Sequence, residues 1–363
     1  MERISGQSSF IRLVCSNRRT RLHIFPIRLF SRLCYNPGIR LRPEWPVMTL
    51  KGPFFLKPLY FAPLEGIGNH IYRNAFCRHY SGVDRFYTPF IDINADGGMK
   101  QRSINDILPE NNPGITLIPQ ILTKNAAALK NATAFFRTLG YTETNLNLGC
   151  PSPTVTKKGK GAGLLAVPAA LRLFLEQAFE TARTGLSIKM RIGISSEDEW
   201  EPLLEAIRPF PVRELIIHPR LQTEFYRGPV HEDIFRRMYD AAPFPVCVNP
   251  GIRSPQDYRR WENLCPDLSG IMIGRPLVAD PGLAERIRSG QESGFDRNRF
   301  FAFHDDLLES YRRVLSGDTP VLFKMKELWD FWENACPVDG QIRKKISKAQ
   351  KLSEYEALIR QIR

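Results

Sequence analysis

Between Leu59 and Ser289, short apolar runs alternate with amphipathic helical patterns, and this alternation leaves few folds open. Eight strand candidates stand out: 59–62 (LYFA), 85–90 (RFYTPF), 115–121 (ITLIPQI), 143–148 (ETNLNL), 186–190 (LSIKM), 214–218 (ELIIH), 245–249 (PVCVN) and 269–273 (SGIMI). Each spans four to seven residues, and most are rich in Val, Ile, Leu or aromatic residues, as strands covered on both faces must be. Helical patterns lie between them at 125–139, 167–184, 199–208, 231–241, 255–263 and 281–289. Pro168 and Pro255 fall near helix starts, where a missing amide hydrogen is harmless. A doubly wound open sheet produces the same alternation. Against it, no G-x-G-x-x-G follows the first run, and polar residues gather at the C-terminal ends of many runs. The expected fold is therefore α/β, a (β/α)₈ TIM barrel.

After about residue 296 the alternation stops, and 300–315, 320–334, 340–350 and 353–362 all carry helical periodicity. Breaks at Gly317–Pro320 and Pro337–Gly340 separate these segments. The expected organisation is a catalytic barrel over 48–296, a small all-helical domain over 297–363, and a distinct N-terminal extension over 1–47.

The net charge of +13 invites a polyanionic partner, but its placement tempers that reading. Residues 1–47 hold nine arginines against Glu2 and Glu44, which leaves 42 basic and 36 acidic groups in the remainder. The helical tail itself carries thirteen basic and ten acidic residues. The Arg- and Ser-rich extension has the composition of an organelle transit peptide, which would make the protein mitochondrial. However, Met48 opens MTLKGPFFLKPLYFAPLEG and leads directly into the first strand. The first expectation is thus a mis-assigned start upstream of a cytoplasmic protein, with the transit peptide, or a functional arm, as the alternative. No apolar stretch approaches the ~18 residues of a membrane span, so no membrane is expected as a partner.

The seven cysteines, at 15, 34, 77, 150, 247, 265 and 336, form no C-x-x-C pair and no cluster with zinc-like spacing. That argues against a disulfide framework and for a reducing compartment, and gives no reason to expect a metal. Cys150 is set apart by its surroundings, NLNLGCPSPTVTKKGKGAGLL over 145–165. A strand ends in Asn147–Leu148–Gly149–Cys150–Pro151, which puts a thiol on the face where such barrels carry their active sites. Glycines at 159, 161 and 163 follow, permitting unusual backbone angles and close approach to a ligand. An isolated cysteine is more often a packed side chain. Here N-x-G-C-P followed by V-x-x-x-G-x-G-A-x-L-L closely resembles the active-site signature of the tRNA-dihydrouridine synthases.

Further matches keep the family's order along the chain: APLEG at 62–66, PQIL at 119–122, IKMRIG at 188–193, IIHPRLQTEFYRG at 216–228, VNPGI at 248–252 and IMIGRPL at 271–277. The resemblance implies a flavoenzyme that reduces the C5–C6 double bond of a uridine in tRNA. FMN would be the hydride carrier and NADPH or NADH the reductant. It implies flavin contacts from Pro63, Leu64 and Glu65, with Gln120 at the pyrimidine edge and His218 by the ring or phosphate. Lys189 would sit beside the edge where reduced flavin gathers negative charge, and Asn249, Pro250, Gly251, Gly274 and Arg275 would hold the phosphate. Cys150 would be the general acid: an ordinary thiol is mostly S–H at neutral pH and can still release its proton. The tail would grip tRNA through residues such as Arg312, Arg313, Lys324, Lys326, Lys344 and Lys345, and the protein is expected to be a monomer.

Three departures from the family pattern stand in the sequence. Gly68–Asn69 replaces a T-D pair in the first loop, Pro250 stands where an amide-bearing residue is usual, and Pro219 follows His218 in place of glycine. A dihydroorotate dehydrogenase-like barrel and a catalytically silent RNA-binding barrel are the remaining readings. The G-x-G-A-x-L-L run and the basic tail disfavour the first, and Cys150, Lys189 and Arg275 together disfavour the second.

Overall fold

The computed structural model describes residues 56–94, 97–290, 294–332, 336 and 339–363. The extension 1–47, with its expected transit-peptide or mis-assigned-start character, lies outside the described residues, as does Met48.

Eight strands run parallel and close on themselves. They are β1 (Leu59–Phe61), β2 (Arg85–Tyr87 and Ile91–Asp92), β3 (Leu117–Ile118 and Gln120–Leu122), β4 (Glu143–Leu148), β5 (Gly185–Gly193), β6 (Leu215–Leu221), β7 (Val246–Val248) and β8 (Gly270–Ile273). Each pairs with its successor, and β8 returns to β1 through Tyr60 opposite Met272, so the sheet is the expected barrel. Prolines explain the two interrupted strands. Pro89 and Pro119 have no amide hydrogen to give a neighbour, yet the Pro119 carbonyl still accepts from Asn145 N at 2.9 Å. β6 runs three residues beyond the expected end, through Pro219 to Leu221, with a register shift against β5 between Arg191 and Gly193. That shift accommodates Pro219 and carries Arg220 into the strand.

Alternation along each strand sorts side chains into two cores. Outward residues meet the helices in one large apolar cluster and a smaller one around Ile91, Ile121 and Phe136, while Tyr60, Ala62, Tyr87, Ile118, Ile216, Cys247 and Met272 fill the barrel. At its N-terminal end the buried Glu214 carboxylate accepts from the hydroxyls of Tyr60 (3.1 Å), Tyr87 (3.3 Å) and Ser269 (2.6 Å). This satisfied plug closes the bottom, so the barrel opens at the C-terminal ends of its strands. The helices start where the sequence offers caps. Asn69 Oδ1 accepts from Tyr72 N to start His70–His79, which gives that departure from the family loop a capping role. Ser254 does the same for Pro255–Leu264.

The tail forms the helices Arg297–Val314, Asp318–Trp332, Gly340–Lys348 and Leu352–Gln361, close to expectation. They share an aromatic core of Phe300, Trp329, Trp332 and His304, in which the buried Tyr355 hydroxyl meets both His304 Nε2 (2.5 Å) and Trp329 Nε1 (2.8 Å). The first tail helix packs on His70–His79: Phe303 stands edge-on to Tyr72 and Tyr80, and Asp306 accepts from Arg78 and His79.

Candidate active site

The inward positions at the open end are Gln120, Asn147, Lys189 and His218; Gln120 and His218 stand one pleat above the apolar Ile118 and Ile216, while Asn147 and Lys189 stand above the polar Asn145 and Ser187. A chain of polar side chains links the neighbouring strands β3, β4 and β5 below the mouth. Ser187 Oγ accepts from Asn145 Nδ2 (3.0 Å), Asn145 Oδ1 from Gln120 Nε2 (2.7 Å), and Gln120 Oε1 from Asn147 Nδ2 (2.8 Å). Asn147 Oδ1 then accepts from the backbone amides of Gly149 (3.0 Å) and Cys150 (2.9 Å). The thiol-bearing turn is therefore fixed by a side chain three residues before it, braced through Gln120 and Asn145 to Ser187 on β5.

Glycine is required around that turn. Gly161 has φ +57, and a Cβ there would lie 3.0 Å from both Cys150 Cβ and the Cys150 carbonyl oxygen. A Cβ on Gly163 would strike the Thr156 carbonyl at 2.7 Å. The G-x-G run lets the loop fold down on Cys150, and Ala162 N donates to the Cys150 carbonyl at 3.1 Å. From the other side Arg191, fully buried, donates to the carbonyls of Gly149 (3.0 Å), Leu221 (2.8 Å) and Phe225 (2.6 Å). Gln222 Nε2 reaches the Pro151 carbonyl at 3.3 Å. Burial pushes the Cys150 thiol above its ordinary range, outweighing the Ser152 amide and the cations Arg191 and Lys189. The group is held as S–H.

Positive charge at the mouth lacks carboxylate partners among the described residues, although Arg220 Nε donates to the Gly228 carbonyl at 2.8 Å. Lys189 is half-buried and has no hydrogen-bond or ion-pair acceptor among the described residues. Burial, with Arg191 nearby, brings its ammonium down to about 7. His218 is buried and stacks on Tyr226, with Nε2 3.0 Å from Arg220 Nη1. Burial and the surrounding Arg191, Lys189, Arg220 and Arg275 keep its imidazole neutral, so it accepts that hydrogen bond. Burial first, and then the neighbouring Arg275 and Arg253, hold the Arg220 guanidinium below its ordinary range, burial and Arg253 do the same for Arg275, and no carboxylate among the described residues forms an ion pair with Arg220, Arg253 or Arg275. Arg275 instead lies 4.3 Å from the Tyr226 ring centroid. The guanidiniums of Arg220, Arg253 and Arg275, close enough to repel one another and with Arg220 beside Gly251, offer donors suited to an anion with several oxygens.

A dihydrouridine synthase family model matches residues 60–362, spanning both the barrel and the helical tail. The chain belongs to the dihydrouridine synthase family. Membership makes it a flavin-dependent oxidoreductase of tRNA modification. Similar proteins include a tRNA-dihydrouridine(16) synthase of Aquipseudomonas alcaligenes, 30% identical over 64% of this chain and 76% of that protein. One of the same name from Ralstonia nicotianae is 31% identical over 63% of this chain and 72% of its own length. A probable tRNA-dihydrouridine synthase of Staphylococcus epidermidis is 23% identical over 86% of this chain and 94% of its own.

The structure brings Gln120, Cys150, Lys189, His218, Gly274 and Arg275 to one end of the barrel, with Pro63 and Leu64 in the loop above β1. Glu65 is exposed and leans towards Arg102 at 3.9 Å. Asn249 spends its Nδ2 on the Met272 carbonyl (2.8 Å), tying β7 to β8, and Pro250 offers no donor. The tail residues divide. Lys324 Nζ is held by the Gly66 carbonyl (2.8 Å) and Glu327 (2.8 Å), and Lys326 by the Ala349 carbonyl (3.0 Å). Arg312 pairs with Glu356 and Arg313 with Glu309. Lys344 and Lys345 stand exposed and without a side-chain partner among the described residues. Sequence reasoning missed Asn145, the bracing part of Arg191, and the arginines Arg220 and Arg253. The last two did leave a signal: each stands two residues past a singled-out position, His218 and Gly251. Among the described residues no group of three His, Cys, Asp or Glu side chains could hold a metal ion, and no helix is long and apolar enough to cross a membrane.

Proposed function

We propose that the protein reduces a uridine of tRNA to dihydrouridine with FMN as hydride carrier and NADPH or NADH as reductant, Cys150 supplying the proton. The observation that carries this reading is the unpaired charge at the mouth set beside a thiol held as S–H. The residues fit FMN. Arg220, Arg253 and Arg275 would take its phosphate, a dianion whose arrival relieves their mutual repulsion. Lys189 would meet the electron-rich edge of the isoalloxazine, and that partner would restore the ammonium that burial disfavours. Pro63 and Leu64 would cover one side of the ring system, with Gln120 and His218 at its polar edge. Pro250 leaves the phosphate contact after β7 to Gly251 N and the arginines.

Bound FMN would supply the hydride for C6 of the uridine. C5 then needs a proton, and the chain's part is to hold a neutral acid there. Cys150 S–H gives its proton to C5 and regains one from water. Asn147, Gly161 and Arg191 fix the turn that aims the thiol. A uridine within folded RNA must leave its stack to reach this depth, so RNA shape and backbone govern recognition. The two relatives at 30–31% identity act, by name, on position 16, which makes that uridine the first to examine.

The test is to purify the protein, release and identify any flavin, and map dihydrouridine in unmodified tRNA incubated with it and NADPH. Bound FMN and one reduced position are expected. A protein that neither carries nor binds added FMN, or that carries it and leaves tRNA unchanged, would overturn the proposal. The division into a barrel over 48–296 and a tRNA-gripping tail over 297–363 belongs to the same proposal.

A further inference from the structure

Among the described residues one non-glycine residue has a positive φ. Phe225, at φ +51, sits in the loop after β6 in a backbone conformation that side chains with a Cβ disfavour. No ring contact compensates it, since the residue is 41% exposed and its ring makes no aromatic or cation contact with a described residue. The neighbouring Tyr226 differs, because its ring already faces Arg275, Arg191 and His218. The odd conformation is nonetheless firmly held. Phe225 N donates to the Gln222 carbonyl (3.2 Å), Thr223 N to the Ile194 carbonyl (3.0 Å), and Arg191 Nη2 to the Phe225 carbonyl (2.6 Å).

Those restraints connect the ring to the thiol. The same Arg191 guanidinium holds the carbonyl of Gly149, next to Cys150, and Gln222 holds that of Pro151, on its other side. The backbone of an exposed aromatic residue is thus fixed one guanidinium away from the thiol-bearing turn. Flipping one nucleotide out of an RNA stack leaves the adjacent base with a bare face, and an aromatic ring at the mouth can cover it.

We propose that Phe225 is a tRNA-binding residue of the reaction, stacking on a tRNA base adjacent to the uridine that enters the site. The inference rests on the function proposed above. It explains why a bulky side chain occupies a position where glycine would be relaxed: the ring's use is external to the protein.

The experiment compares Phe225→Gly, Phe225→Leu and Phe225→Trp with the wild type. The readouts are bound flavin, thermal midpoint, flavin reduction by NADPH, tRNA affinity by fluorescence anisotropy, and KM and kcat for tRNA. Phe225→Gly should keep its flavin and match or exceed the wild-type midpoint, because glycine accepts the positive φ. Its tRNA Kd and KM should rise roughly 5- to 100-fold, the range expected for losing one base–aromatic stack. Phe225→Leu should share that rise and Phe225→Trp should not, so the comparison survives if the glycine variant folds poorly. Unchanged tRNA affinity in both Phe225→Gly and Phe225→Leu, or an effect confined to KM for NADPH, would overturn the proposal. Wild-type protein that binds FMN and leaves every tRNA uridine intact would instead overturn the underlying function, and this inference with it.

Discussion

At the residue scale, two groups carry electrostatics that can be measured directly. Lys189 is lowered to about 7 from an ordinary lysine value because burial disfavours its charge and Arg191 repels it. Between pH 7 and about 10.5 the unfolded chain therefore binds more protons at this position than the folded one, so stability should rise with pH across that window. Flavin-free Lys189→Met should lose this rise, measured by urea denaturation at intervals from pH 6.5 to 9.5. An identical pH slope in the variant would mean that Lys189 is not the titrating group. Cys150 tests the chemistry. Cys150→Ala should accept a hydride from NADPH onto its flavin at nearly the wild-type rate and should pass it to tRNA roughly 10²–10⁴-fold more slowly. Stopped-flow absorbance separates the two half-reactions, and equal reoxidation by tRNA would remove the thiol from the mechanism. Both residues were legible in the sequence because their motifs are local, a strand end and the loop after it. Arg220 and Arg253 were harder to read because their meaning depends on Arg275, which arrives from β8.

At the scale of elements, the eight strands were legible from apolar runs alone, and their ends were displaced where proline interferes. Pro119 splits β3, whereas Pro219 does not stop β6, since a register shift absorbs the missing donor. The amide chain Ser187–Asn145–Gln120–Asn147 was not legible, because each link joins a different strand and no spacing within one strand reveals it. It makes Asn147 a positioning residue. Asn147→Ala would strip the Gly149 and Cys150 amides of their acceptor and leave Gln120 Oε1 without its donor. Its cost should be about 1–3 kcal/mol by chemical denaturation. It should also lower kcat for tRNA more than it raises KM, because the thiol turn loosens while RNA-facing surfaces stay. A variant with wild-type kcat would show that Gly161 and Arg191 suffice to hold the turn.

At the scale of the whole molecule, charge counting from sequence could not tell committed cations from available ones. Four of the six basic side chains expected to grip tRNA are engaged within the chain, and Lys324 reaches across to the Gly66 carbonyl in the loop above β1. Gly66, at φ +82, lies so close to Glu327 that a Cβ would stand 2.6 Å from its Oε1. This lysine therefore pins the tail to the open end of the barrel, while Lys344 and Lys345 face solvent on the helix Gly340–Lys348. The two classes should separate in one salt titration. Lys344→Ala with Lys345→Ala should weaken tRNA binding and flatten the dependence of log K on log salt by roughly 1.4–1.8, about 0.7–0.9 for each phosphate no longer neutralised. Flavin reduction should be untouched. Lys324→Ala should leave the salt slope near wild type, because its ammonium is already occupied, and should instead speed flavin loss as the loop carrying Pro63 and Leu64 is freed. If Lys324→Ala flattens the slope as much as the double variant, its bond to Gly66 gives way to RNA, and the tail meets tRNA along its barrel-facing helix.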